Sequence, residues 1–162
     1  MKKIACILFA GLLFANSASA ALITGKIGWG GEFERDGSSY SFSNVEVDMA
    51  TGDLGAAGIS DGDVLDMAGF DIDSFTPGVL WMLNGFTFNL DRIRVMFDME
   101  DVATVVIGTG TMSAAGFDNT NFGFSFSSNN GGTFSAAAVP EPASLALLSL
   151  GLAGFAARRK LA

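Results

Sequence analysis

The chain has 162 residues, a formal net charge of −8, no histidine and one cysteine, Cys6. Those counts exclude a Ser-His-Asp triad, histidine-ligated zinc and any disulfide within the chain. The acidity excludes nucleic-acid binding through phosphate neutralisation.

Lys2 and Lys3 form a positive n-region, Ile4 to Phe14 is an apolar run, and Ala18-Ser19-Ala20 is a small-residue cleavage site. A signal peptide over 1–20, cut after Ala20, is expected. The apolar run is too short for a transmembrane helix, which needs about 20 residues.

Residues 21–138 then form one domain of 118 residues, large enough for a core of its own. Sixteen acids face four cations there (Lys26, Arg35, Arg92, Arg94), a net charge of −12. Such a surface favours solubility and repels anionic polysaccharide unless divalent cations bridge the two.

Within this domain apolar and polar residues alternate with period two. Gly28–Phe33 and Tyr40–Val47 flank Asp36-Gly37, the best hairpin signal in the chain. Phe70, Ile72 and their neighbours Asp71 and Asp73 fit a short strand with the apolar pair inward. Phe86-Phe88-Leu90, Ile93-Val95-Phe97, Thr104 to Met112 and Phe122-Phe124-Phe126 read as half-buried strands. Gly30-Gly31, Asp61-Gly62, Asn84-Gly85 and Gly131-Gly132 punctuate them as turn signals. Roughly eight strands at this spacing predict an all-β, antiparallel domain, a β-sandwich or a barrel-like form, with a Phe-rich core. The domain is expected over 21–132. Residues 133–138 are expected as a last short strand around Thr133–Ser135 and a flexible linker.

Several side chains are candidates for chemistry. Glu32, Glu34, Glu46 and Glu100 are carboxylates of the type a glycosidase pairs, but Glu32 and Glu34 fall on the solvent face if Phe33 points inward. Asp53, Asp61, Asp63, Asp66, Asp71 and Asp73 crowd into twenty-one residues among glycines. Oxygen ligands on turns suit Ca²⁺, with Asp61, Asp63 and Asp66 the candidates, although the spacing is not that of an EF-hand. A solvated acidic loop is the default, and no cofactor is required. Trp29, flanked by glycines, is a candidate stacking platform for sugar; Trp81, beside Leu80 and Met82, reads as core.

The chain closes on Val139-Pro140-Glu141-Pro142, an apolar run over 143–157, and Arg158-Arg159-Lys160. Fifteen residues of helix reach about 22 Å, short of a bilayer core of about 30 Å. The basic residues hold the end at the cytoplasmic interface by snorkelling. Both this hydrophobic helix and the signal helix are expected outside the β core. The two prolines disfavour helix at the motif, which should stay extended and accessible.

The ordered set of Pro-Glu-Pro, apolar span and basic tail over 139–162 resembles the PEP-CTERM signal of exported proteins in exopolysaccharide-producing Gram-negative bacteria. The resemblance implies an exosortase-type membrane transpeptidase as partner and transient anchoring in the inner membrane through 143–157. It implies delivery to the cell surface or extracellular matrix. Whether the tail is cleaved, transferred or kept as an anchor stays open. Gly108-Thr109-Gly110, Gly116-Phe117-Asp118 and Phe124-Ser125-Phe126-Ser127 also resemble the closing stretch of short PEP-CTERM proteins. The expected function is non-enzymatic, associated with exopolysaccharide or biofilm. The alternative is a small carbohydrate- or Ca²⁺-binding adhesion module.

Overall fold

A computed structural model describes residues 20–99, 102–129 and 131–141. The domain is all-β with an antiparallel main sheet, as the alternation predicts. Its strands are β1 (Ala21–Leu22), β2 (Ile27–Asp36), β3 (Ser39–Ala50), β4 (Phe70–Asp71) and β5 (Gly78–Leu83). They continue with β6 (Phe86–Met99), β7 (Ala103–Ala114), β8 (Phe117–Asp118), β9 (Thr120–Asn129) and β10 (Thr133–Pro140). A single-turn helix, α1 (Gly52–Ala56), follows β3. The signal helix and the C-terminal span lie outside the described residues. Among those described, no helix is long and apolar enough to cross a membrane.

Beside a two-stranded sheet of β1 and β8, the described strands form one large sheet. The strands follow the barrel-like expectation: one eight-stranded sheet, ordered β4-β3-β2-β10-β9-β7-β6-β5, curls into a half-barrel. Strands β5, β6, β7, β9 and β10 run as a meander, and β10 then docks on β2 of the β2–β3 hairpin. The predicted Asp36-Gly37 turn closes that hairpin, with Gly37 at a φ of 61° that suits glycine. Asn84 and Gly85 both take positive φ between β5 and β6, as a type I′ turn requires. Gly30-Gly31 does not turn. It sits inside β2 at a bulge, because a Cβ on Gly31 would press against the backbone of Asn44 and Val45.

The curl is visible in the core. Trp29 on the third strand meets Trp81 on the eighth with ring centroids 5.7 Å apart, edge to face. The connection after α1 bridges the two margins of the sheet. Its Leu65 N–H donates to the Val45 carbonyl of β3, and its Ala68 N–H to the Leu80 carbonyl of β5, each at 2.8 Å. Phe70 and Phe126 pack at 5.5 Å, Phe42 and Phe134 at 4.8 Å, and Phe70 is buried as the alternation predicts. Aromatic pairs of this kind add about 0.5–1.5 kcal/mol each beyond area burial. At one mouth of the half-barrel, Arg35 of β2 pairs with Asp98 of β6 at 2.8 Å. Thr104 of β7 donates to Asp98 at 2.7 Å and accepts the Tyr40 hydroxyl of β3 at 2.6 Å. Four strands are thereby tied side chain to side chain.

The Gly-Thr-Gly of β7 has a packing reason. It lies opposite the bulge at Asp91, where the β6–β7 register shifts between Leu90 and Arg92. A Cβ on Gly110 would collide with the Asn89 carbonyl and the Phe88 ring, and Phe88 is fully buried. Gly110→Ala should therefore destabilise the domain by about 1–3 kcal/mol, read as a lower midpoint in urea. An unchanged midpoint would mean that β7 and β6 separate freely.

Candidate functional site

The site that function can be built on lies where β10 ends. This strand is fourth of eight, hydrogen-bonded on one side to β2 and on the other to β9. Its inward residues Phe134, Ala136 and Ala138 are buried, and the two alanines are small where their neighbours are large. Ala136 sits between Trp29 and Phe126, and Ala138 between Ile27 and Phe124. The strand expected around Thr133–Ser135 is present, but no linker follows it: the alanines fill a slot between larger side chains, and pairing continues through Val139↔Gly123 and Pro140↔Phe122. The Glu141 N–H then donates to the Asn121 carbonyl at 3.0 Å. Pro140 has no N–H to give, and it stands where β10 has run past its β2 partner, a position that suits proline. Val139 and Pro140 are extended as expected, but together with Glu141 they are held on β9 rather than standing free of the domain. Val139 points outward and is 47% exposed. Pro142, the span 143–157, Arg158, Arg159 and Lys160 lie outside the described residues.

The start of the described domain sits beside its end. Ala21 and Leu22 pair in parallel with Phe117 and Asp118, the Gly-Phe-Asp singled out in the sequence. The Ile23 N–H donates to the buried Thr120 hydroxyl at 2.8 Å. Consecutive residues of β9, Thr120 and Asn121, therefore grip the two ends of the domain, so both leave from one pole. Ala20 of the predicted cleavage site adjoins this pole; Ala18 lies outside the described residues.

The other candidates are dispersed. Trp29 is no stacking platform. It is completely buried among Trp81, Phe124 and Met67, with its Nε1–H donating to the Met67 sulfur at 3.2 Å. Its flanking glycines mark bulged, close-packed backbone rather than exposure. Trp81 is core, as expected, and its Nε1 has no hydrogen-bond partner among the described residues. Glu32 and Glu34 are exposed on the solvent face, with Asn44 donating to Glu32 at 2.7 Å. Glu46 is also exposed, and Glu100 lies outside the described residues.

Asp61, Asp63 and Asp66 are not gathered: no three His, Cys, Asp or Glu side chains converge as a metal site among the described residues. Asp63 instead accepts the Ser60 N–H at 2.8 Å within its own turn. Asp71 accepts from the Ser38 and Ser39 hydroxyls and from the Asp73 and Ser74 N–H groups. The Ser74 N–H, then the serine hydroxyls, hold its carboxyl far below the usual carboxylate range. Hydrogen bonds from Arg35 lower Asp98, and those from Thr24 lower Asp53. These carboxylates fasten neighbouring segments of the fold to one another. Sequence reasoning missed the Arg35–Asp98–Thr104–Tyr40 network, whose members lie up to 69 residues apart and carry no shared motif.

Residues 138–160 match the family model described as the PEP-CTERM protein-sorting motif. No curated protein and no solved structure matches the chain. The chain carries a sorting motif of exported proteins that an exosortase processes, with transient anchoring through the C-terminus and then a surface location.

Two outcomes follow from this geometry. Trp29→Ala should cost about 3–5 kcal/mol of stability in chemical denaturation, the range for emptying a buried aromatic site; an unaltered midpoint would put Trp29 back on the surface. The lowered Asp71 carboxyl contributes stability that is present above its ordinary value of 3.8 and is lost as pH falls through its depressed folded value. Thermal midpoints of Asp71→Asn should accordingly fall less steeply below pH 4 than those of the parent chain.

Proposed function

We propose that this chain is a non-enzymatic structural protein of the cell surface or extracellular matrix of a Gram-negative bacterium, associated with exopolysaccharide or biofilm. The observation that carries this reading is how the domain places its side chains. Both tryptophans and the alternating phenylalanines of β9 face inward, while the outward positions of the same strand are Ser125 and Ser127. Both tryptophans, the aromatic groups best suited to stack on sugars, are consumed by the core. The exposed carboxylates Glu32 and Glu34 stand on a strand face rather than across a cleft.

The alternative, a small carbohydrate- or Ca²⁺-binding adhesion module, is favoured by one feature. A cleft of about 380 Å³ opens between α1 and the β5–β6 turn, with Asp53 and Asn84 as polar groups and Phe86 and Phe117 as apolar wall. A glycan held there would be lost on Asn84→Gly, which removes the side-chain amide and keeps the positive φ that the turn needs.

Mapping both termini by mass spectrometry in membrane and extracellular fractions of the native host tests the main reading. The expected mature form starts at Ala21 and ends close to Pro140-Glu141-Pro142 outside the cell, and deletion of the gene weakens the matrix. A form that keeps Arg158–Lys160 and stays in membranes would overturn the matrix role. Saturable glycan binding by the purified domain would favour the module instead.

A further inference from the structure

We propose that residues 138–141 have two mutually exclusive partners, β9 of their own sheet and the substrate cleft of the sorting enzyme, so that fraying of the end of β10 sets the rate of tail processing. The proposal rests on the sorting reading above and adds its regulation.

Three observations carry it. First, the matched motif and the fold overlap: the motif begins at residue 138, whereas β10 runs to Pro140. Second, the overlap is structurally committed. Ala138 is fully buried, Val139 pairs with Gly123, Pro140 with Phe122, and the Glu141 N–H is bonded to Asn121. An enzyme that acts on a peptide must bind it extended, through the same backbone groups and flanking side chains that β9 occupies. Third, no spacer separates the domain from the apolar run. From Glu141 to Ala143 is two residues, about 7 Å of extended chain, so a span seated in the membrane holds the Ala21–Glu141 pole against the bilayer. Slack cannot release the motif; only local unzipping of 138–141 can. Strand ends open locally at far lower cost than the whole domain.

Two variants move the pairing in opposite directions. A six-residue Gly-Ser insertion between Ala138 and Val139 leaves the buried part of β10 in place and lifts Val139-Pro140-Glu141 off the sheet. Gly123→Val adds a β-branched residue opposite Val139, where a Cβ meets nothing closer than the Val139 carbonyl at 3.8 Å. It should tighten the pairing. In the native host, a pulse-chase of the full chain should show faster tail processing for the insertion and slowing of about fivefold for Gly123→Val, the span of strand propensity between such residues. Equal rates in all three chains would overturn the gating while leaving sorting intact. Absence of processing from every chain would overturn both. Hydrogen exchange on the purified full chain decides independently of any enzyme. The Glu141 amide should be protected in the parent and exchange freely in the insertion variant, and a freely exchanging amide in the parent would overturn the proposal.

Discussion

One sheet has to bury its inner face against itself, and the Trp29–Trp81 contact is where that requirement is met. A flat sheet of these strands would leave a row of phenylalanines in water. Curling brings the third and eighth strands within ring contact, and the two margins then need a bridge. Leu65 and Ala68 supply it by bonding one margin each. Without disulfides, this closure is all that separates a filled half-barrel from an open, aggregation-prone ribbon.

That closure explains why the candidate chemistry dispersed. A groove for a ligand needs aromatic or acidic side chains that are both gathered and exposed. Here both tryptophans and most of the phenylalanines are gathered inside, and the acids are spread outside or tied to nearby N–H and hydroxyl groups. Asp71 fastens a loop to a strand, Asp53 ties α1 to the β1–β2 connection, and Asp98 ties β6 to β2 and β7. An acidic run that looks like a metal loop in one dimension serves as a set of loop anchors in three.

Much of this was legible in the sequence. The Asp36-Gly37 and Asn84-Gly85 turns, the inward Phe122, Phe124 and Phe126, and the inward Phe70 follow from turn chemistry and period two. Three features were not legible, for separate reasons. Gly30-Gly31 looks like a break but is a bulge, because glycine in a strand marks close backbone approach as readily as an end. Trp29 looked exposed for the same reason. The run Ala136-Ala137-Ala138 has weak strand propensity and reads as linker. Its period-two partner Phe134 was the available signal, but the need for small residues there depends on Trp29 and Phe126, which lie far away in sequence.

The central place of β10 also bears on the order of folding. The last strand to be made is the one that joins the hairpin to the meander, so its contacts with β2 span more than a hundred residues. Such long-range pairing is slow and cannot begin until the C-terminal end of the domain is available. A chain crossing a membrane from its N-terminus therefore stays without its finished sheet until residue 140 has passed. Export competence is in this way written into topology: the strand that completes the protein is also the last to arrive.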